Sequence, residues 1–271
     1  GMGLDVFNHD FGYEGYLHER HPGLVCKNFL FSPPTRFGQT YRSDVSESDD
    51  IQCFLNTTLT GLSAEDRAIS QASLRDRNGI EVKVRAEQHV LAMGAIENAR
   101  MLLHSRLANS SDYVGRCFSD HLGTTVAEAM VDGVNRYEHH RTRQKDQSLY
   151  IMPHLSLPDQ LLREHELVNC GLVFLPNQEK DTPLESGIRQ RIADADAQRV
   201  KLLVRMENTP NPNSRITLSN SRDPFGIPRV VLDWQVNRQD FESVERLGKV
   251  IEPMLSIAGA RVRIRDEGLR E

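Results

Sequence analysis

The run Gln88-His89-Val90-Leu91-Ala92-Met93-Gly94-Ala95-Ile96-Glu97-Asn98-Ala99-Arg100-Met101-Leu102-Leu103 constrains this chain more than any other segment. A short apolar stretch passes through one glycine into apolar positions at helical spacing. The pattern predicts a buried strand over Val90–Met93, a tight turn at Gly94 and an amphipathic helix beyond it. Such a helix leaves backbone N–H groups free at its N-terminus, where the dipole favours an anion. Many α/β proteins hold anionic cofactors at that place. A glycine there also serves a plain packed turn, and one glycine alone does not separate the two roles.

Upstream, the pattern predicts a short strand within Leu24–Phe31, a helix over Arg36–Val45 and a β-rich run at Ile51–Leu55. Ala68–Leu74 and Ile80–Arg85 alternate around the turn signal Arg77-Asn78-Gly79, which predicts a hairpin with Ile80, Val82 and Val84 on one face. The polar run Asn109-Ser110-Ser111-Asp112 marks a boundary, giving domains 1–108 and 109–271. Beyond it, strands are predicted at Thr124–Val131, Leu149–Leu155, Leu167–Leu175, Lys201–Glu207, Arg215–Leu218 and Arg229–Trp234. His139–Gln147 is charged and predicts an exposed loop, and Thr182–Val200 carries only weak helical spacing. Phe241, Val244, Leu247, Val250, Ile251, Met254 and Leu255 recur at helical spacing and predict a helix over Arg238–Ile257, with Asn237 able to cap it. The fold class that follows is α+β, an α/β portion with an antiparallel meander followed by a mostly antiparallel sheet covered by helices.

Charge narrows the function classes. The 271 residues carry a formal net charge of −5 with both signs mixed. No basic stripe argues for a nucleic-acid partner, and no apolar run reaches the length of a membrane span. The four cysteines are scattered without a CxxC, which predicts free thiols and a reducing, cytoplasmic compartment. Gly1-Met2 reads as a tag remnant ahead of a start methionine. His139-His140 has no third ligand at useful spacing, His18 and His21 near Glu14 and Glu19 could bind a metal but read more simply as irregular N-terminal residues, and Asp194, Asp196 and Glu185 read as a solvated face, so no metal site is assigned. Trp234 reads as core.

Several segments, taken in order, resemble the glucose-methanol-choline (GMC) oxidoreductases, in their bacterial choline-dehydrogenase-like form. Val90–Leu103 is similar to the family's V-L-A-A-G-A-I-x-[ST]-P-x-L-L. Ser32–Arg42 looks like the entry to the helix before its flavin-side meander, and Ile51–Thr60 is similar to V-x-V-L-x-N-A-x-V-T. Val114-Gly115-Arg116-Cys117-Phe118-Ser119-Asp120-His121 resembles V-G-R-N-L-x-D-H, and Asn211–Ser219 resembles P-N-P-x-S-R-V-x-L-S, continued by Pro228–Trp234. The resemblance runs from about Ser32 to Ile257.

The resemblance implies FAD as the cofactor, hydride transfer from an alcohol carbon to it, and a substrate domain whose sheet roofs the flavin ring. It implies cofactor contacts at Leu59, Gly94 and Ala95, toward the adenosine side. Departures matter as much. Asn98-Ala99 replaces Ser/Thr-Pro/Ser, and Ser105-Arg106-Leu107-Ala108 lacks both glycines of the family's S-G-[aliphatic]-G. The phosphate-gripping G-x-G-x-x-G is absent, and the chain stops before the segment that bears the family's catalytic His. His121-Leu122-Gly123-Thr124 imitates that segment at the wrong spacing and fits a structural Asp-His pair instead. The expectation is therefore an internal fragment that retains no FAD, contains no catalytic residue and acts on a small alcohol or sugar-like molecule only when intact. Because the strand at Val90–Met93 would lack a partner on one side, self-association through the residue 50–105 region, or disorder there, is expected as well. The other class open to the sequence is a stand-alone binding or subunit-interaction module that uses the antiparallel sheet as a platform.

Overall fold

The computed structural model describes residues 17–31, 36–132, 140–144, 147–176 and 197–264. In chain order its elements are strand β1 (Val25–Phe31), helices α1 (Phe37–Thr40) and α2 (Arg42–Ser46), strands β2 (Thr57–Glu65), β3 (Ala68–Asp76) and β4 (Glu81–Val84), and helix α3 (Ala95–Ser105). There follow strands β5 (Leu122–Asp132), β6 (His140–Gln144) and β7 (Gln147–Ser156), helix α4 (Asp159–Glu164), and strands β8 (Cys170–Pro176), β9 (Ala197–Met206), β10 (Arg215–Arg222) and β11 (Pro228–Asp233). Helix α5 (Arg238–Ile257) and strand β12 (Arg261–Ile264) complete the described chain. The fold is α+β, as its pattern predicts.

Two compact units interleave along the sequence. One comprises Gly1–Pro33, His121–Thr209 and Arg238–Glu271, and the other Pro34–Asp120 with Pro210–Asn237. The first unit is built on a seven-stranded sheet of order β1-β7-β8-β9-β5-β12, with β6 also on β7. All of its pairings are antiparallel among the described residues. β1 pairs Tyr150, Ile151 and Leu155 of β7, so β6 and β8, which pair the same residues, share the opposite edge. Side chains alternate across such a sheet. Along β9, Val200, Leu202, Val204 and Met206 are buried, while Arg199, Lys201, Leu203 and Arg205 fall on the other face.

Helix α5 covers the apolar face. Val244, Leu247, Ile251 and Leu255 recur at intervals of three and four residues and join Leu155, Leu172, Leu202 and Val204 in one core. Fully burying a side chain of this size contributes about 1.5–3 kcal/mol. At the first turn of α5, buried Asp240 accepts hydrogen bonds from the Thr209 amide at 2.9 Å and the Thr209 hydroxyl at 2.8 Å. A carboxylate there also suits the helix dipole. Ser243 accepts from the Val168 amide at 3.0 Å, which ties the helix to the segment before β8. Gly259, at φ 99°, turns the chain after the helix, and the Ala260 amide returns to the Leu255 carbonyl at 2.9 Å.

The second unit holds the meander β2-β3-β4, the hairpin β10-β11 and helices α1–α3. Asp66 and Arg67, at φ 49° and 68°, form the tight β2–β3 turn. The Arg77-Asn78-Gly79 hairpin forms as its signal predicts. Asp76 accepts from the Asn78 and Ile80 amides at 2.9 and 2.7 Å, and Gly79 takes φ 85°.

Four local expectations are corrected. Val90–Met93 is not a strand. Val90 is 85% exposed, and the Asn98 side chain takes the place of a strand partner, accepting from the Met93 amide at 3.0 Å and donating to the Leu91 carbonyl at 3.1 Å. The apolar edge expected there falls instead on β4, where Val82 and Val84, with Ile80 just before them, are exposed. Ile51–Leu55 is irregular, since no strand among the described residues pairs with it. Within the loop predicted at His139–Gln147, His140–Gln144 is strand β6, paired antiparallel with β7 despite its charge. Trp234 lies just past β11 and is 41% exposed, edge-on to Phe118, rather than in the core. Asp194, Asp196, Glu185, Glu14 and most of Thr182–Val200 lie outside the described residues.

Candidate functional site

Leu59, Gly94 and Ala95 all lie in the second unit. Gly94 precedes α3 at φ 88°, ψ 164°, a conformation that favours glycine, and a side chain added there would meet nothing within 4 Å. Ala95 opens the helix and both residues are exposed. Leu59 is half-buried in β2 beside a register shift, opposite Leu74. The α3 helix packs on β2, and the Leu62 amide donates to Ser105 Oγ at 3.0 Å. The start of α3 is therefore open, with no neighbour at Gly94 and an exposed Ala95. Glu97 sits in the first turn of α3 and opposes a pyrophosphate at the same place.

The two motif segments far apart in sequence meet within this unit. The Ile216 amide donates to the Gly115 carbonyl at 2.7 Å, and the Phe118 amide to the Ser214 carbonyl at 2.9 Å. Buried Ser214 donates its hydroxyl to the Phe118 carbonyl at 2.6 Å. Arg116 donates to the Pro212 carbonyl at 3.0 Å and pairs with Asp112, which holds the Asp112 carboxyl below the usual range. Gly115 stands at φ 81°, and a Cβ there would lie 2.5 Å from the Ile216 carbonyl oxygen. The backbone approach therefore requires glycine.

Arg100 fastens α3 to the β10–β11 turn. It donates to Asp223 at 2.7 Å, to the Pro228 carbonyl at 2.8 Å and to Glu97 at 3.1 Å. Asp223 in turn accepts from the Phe225 and Ile227 amides at 2.9 and 3.0 Å. Burial works against the charge of Asp223, but Arg100 and those amides hold its carboxyl below the usual range.

A second site lies in the first unit, and the sequence gives no motif for it. The sheet face opposite α5 carries a cleft of about 210 Å³ lined by Lys27, His121, His154, Asn169, Arg205 and Glu207, with Phe29 and Gly171 at its wall. Register explains the gathering. Lys27 of β1 lies directly opposite His154 of β7, and Gly171 of β8 opposite Arg205 of β9. The His154 ring stacks on Phe29 at 3.9 Å. A Cβ at position 171 would come within 2.7 Å of that ring, so Gly171 makes the space it fills. His154 is 6% exposed and its Nδ1 has no hydrogen-bond partner. Burial, then the Lys27 ammonium, lowers His154 to about 4, which keeps the ring neutral near pH 7. Asn169 donates to Glu207 at 3.0 Å. Burial pushes the Cys26 thiol up to about 12 and Cys170 up to about 11, so neither offers a thiolate at neutrality. All four cysteines are free thiols.

Among the described residues no cluster of three or more His, Cys, Asp or Glu could hold a metal ion, and no helix is long and apolar enough to cross a membrane.

Comparison with known proteins points to oxidases. The chain is 27% identical over 220 residues to 6'''-hydroxyparomomycin C oxidase of Streptomyces lividus, covering 76% of this chain and 38% of that protein. It is 27% identical over 229 residues to paromamine 6'-oxidase of Streptomyces fradiae, covering 75% of this chain and 38% of that protein. The chain thus spans well under half the length of both relatives. Among solved structures it is similar to pyridoxine 4-oxidase from Mesorbium loti, with a TM-score of 0.41 and 18% identity, over 79% of this chain and 42% of that one. No protein-family model matches the chain.

Proposed function

We propose that this chain is an internal part of an FAD-dependent GMC-type oxidoreductase that acts on a CH–OH group of a small alcohol or sugar-like molecule. The observation that carries the reading is the pairing of residues 114–118 with 214–216, which makes one structural unit of two motifs quoted from the same family. Similarity to two oxidases over three-quarters of the chain supports it. The choline-dehydrogenase-like subtype rests on the wording of the motifs alone, since the relatives are named for paromomycin-type and paromamine substrates.

In this reading the domain labels follow the compact units. Flavin-side contacts, expected within residues 1–108, come from Leu59, Gly94 and Ala95. Substrate binding, expected within 109–271, belongs to the sheet of the first unit. When bound, FAD supplies the hydride acceptor. This chain's own residues hold the adenosine side and shape the sheet face toward the substrate. None of them is assigned a catalytic role, and none a metal.

The test is flavin content. Without a pyrophosphate cradle, the few adenosine contacts must offset the whole ordering cost of binding. The 271-residue chain purifies colourless and binds no added FAD in equilibrium dialysis, whereas joining it to the flanking coding segments restores flavin first and alcohol oxidation second. Near-stoichiometric flavin absorbance in the isolated chain refutes the fragment reading. A longer protein that binds no flavin refutes the family reading.

A further inference from the structure

We propose that the cleft over His154 is a subsite for an oxyanion, a carboxylate or a phosphate carried by a small hydroxylated molecule. This deepens the reading of the sheet face as a substrate platform and rests on it.

Four observations converge. First, the His154 ring, only 6% exposed, lines an open cleft, with the Met152 backbone within reach of it. A neutral imidazole both donates and accepts, so its cleft-facing edge can hydrogen-bond an end group seated there. Second, two cations line the same cleft from different strands, Lys27 of β1 and Arg205 of β9. A guanidinium fork matches a carboxylate or phosphate edge with two parallel bonds. Third, the one carboxylate in the lining, Glu207, already accepts from Asn169. Fourth, the ring is fixed, by Phe29 on one side and by the space left at Gly171 on the other. A cleft of about 210 Å³ is smaller than a typical drug-sized site, so it suits an end group rather than a whole sugar. The same two cations repel an ammonium group.

The titratable groups facing His154 are Lys27 from β1, His121 ahead of β5, Cys170 from β8, and Arg205 and Glu207 from β9 and its end. A bound anion favours the imidazolium, so binding draws a proton onto His154. Affinity for a ligand that stays ionised therefore rises as pH falls from 7 toward 5.

The probes are D-glycerate and glycerol 3-phosphate, with glycerol as the uncharged comparison and glucosamine as the cationic one. Each is titrated into the 271-residue chain by calorimetry at pH 7 and pH 5.5. At least one anion is expected to bind tenfold or more tightly than glycerol, with no heat from glucosamine. Glycerate alone identifies a carboxylate ligand, and glycerol 3-phosphate alone a phosphate. The double variant Lys27→Ala/Arg205→Ala loses at least tenfold in anion affinity. His154→Phe keeps the stack and removes the gain in affinity at low pH. If that variant fails to fold, the exposed Lys27 and Arg205 carry the test. Equal binding of glycerol or glucosamine, no anion binding, or anion binding untouched by the double variant overturns the proposal. No flavin enters the assay, so its failure leaves the oxidoreductase reading standing, and the two failures are told apart.

Discussion

Replacing Arg106 and Ala108 with glycine stabilises the unit that contains α3. Both residues lie just past the helix in the left-handed region, at φ 57° and φ 54°. The cap itself is well made, with the Arg106 amide on the Leu103 carbonyl at 3.2 Å and the Leu107 amide on the Leu102 carbonyl at 2.9 Å. What is wrong is the Cβ. A left-handed conformation costs an ordinary residue about 1–2 kcal/mol, and a glycine's extra freedom in the unfolded chain takes back roughly 0.5–1 kcal/mol. Both side chains are exposed, so little packing is lost. The net gain is about 0.5–1 kcal/mol at each position, or roughly 1–2 kcal/mol for Arg106→Gly/Ala108→Gly together. For a chain of this size, 1 kcal/mol shifts a melting midpoint by about 2–4 °C. The single tryptophan, Trp234, lies in the same unit, so its fluorescence during heating reports that unit's unfolding. The opposite control is Gly115→Ala, which drives a methyl against the Ile216 carbonyl and should lower the midpoint. An unchanged or lower midpoint for the double glycine variant would refute the strain argument.

Two further predictions concern pH. Asp223 is held below the usual carboxylate range, so its stabilisation is present above its unfolded value of about 4 and is lost as pH falls through its folded value. Asp223→Asn should cost about 1–3 kcal/mol at pH 7 in urea melts and flatten the acid limb, and an acid limb as steep as the unaltered chain's counts against it. His154 binds its proton at about 4 when folded and about 6.5 when unfolded, so stability is full above about 6.5 and falls as pH drops toward 4, by about 3 kcal/mol in all. His154→Phe should remove that decline, and denaturant midpoints at pH 7 and pH 4.5 measure it.

What was legible in the sequence was whatever depended on period and turn chemistry. Helix α5 has the bounds its apolar spacing predicts, because one face of it is buried over its whole length. The β3–β4 hairpin follows Arg77-Asn78-Gly79, because Gly79 supplies the positive φ the turn requires. Strand predictions failed where apolar content was read as burial. Val90–Met93 and Ile51–Leu55 have the composition of strands but no partner, and a strand is defined by its neighbour. The cleft over His154 was invisible because β1, β7, β8, β9 and the residues just outside β5, β8 and β9 each bring one or two ordinary residues, and only the register puts Lys27 beside His154. Departures from family motifs were legible as words, and the structure gives two of them a cost. Arg106 and Ala108, with glycine-like backbone, stand where the resembled motif has glycines, and Cys117, at φ 55°, stands where it has asparagine, a residue that tolerates that region.

The interleaving of the two units sets the order in which the chain can finish folding. Strand β1 leaves the ribosome early but pairs with β7, more than a hundred residues later, and β5 awaits both β9 and β12. The other unit begins at Pro34, yet its Gly115 and Phe118 backbone groups find partners only when Ile216 and Ser214 arrive. Neither unit closes during synthesis of the first two hundred residues. Such long-range closure slows folding and keeps apolar strands exposed meanwhile. A chaperone that shields β1 and the meander until α5 emerges should therefore raise soluble yield more than any change to the finished fold.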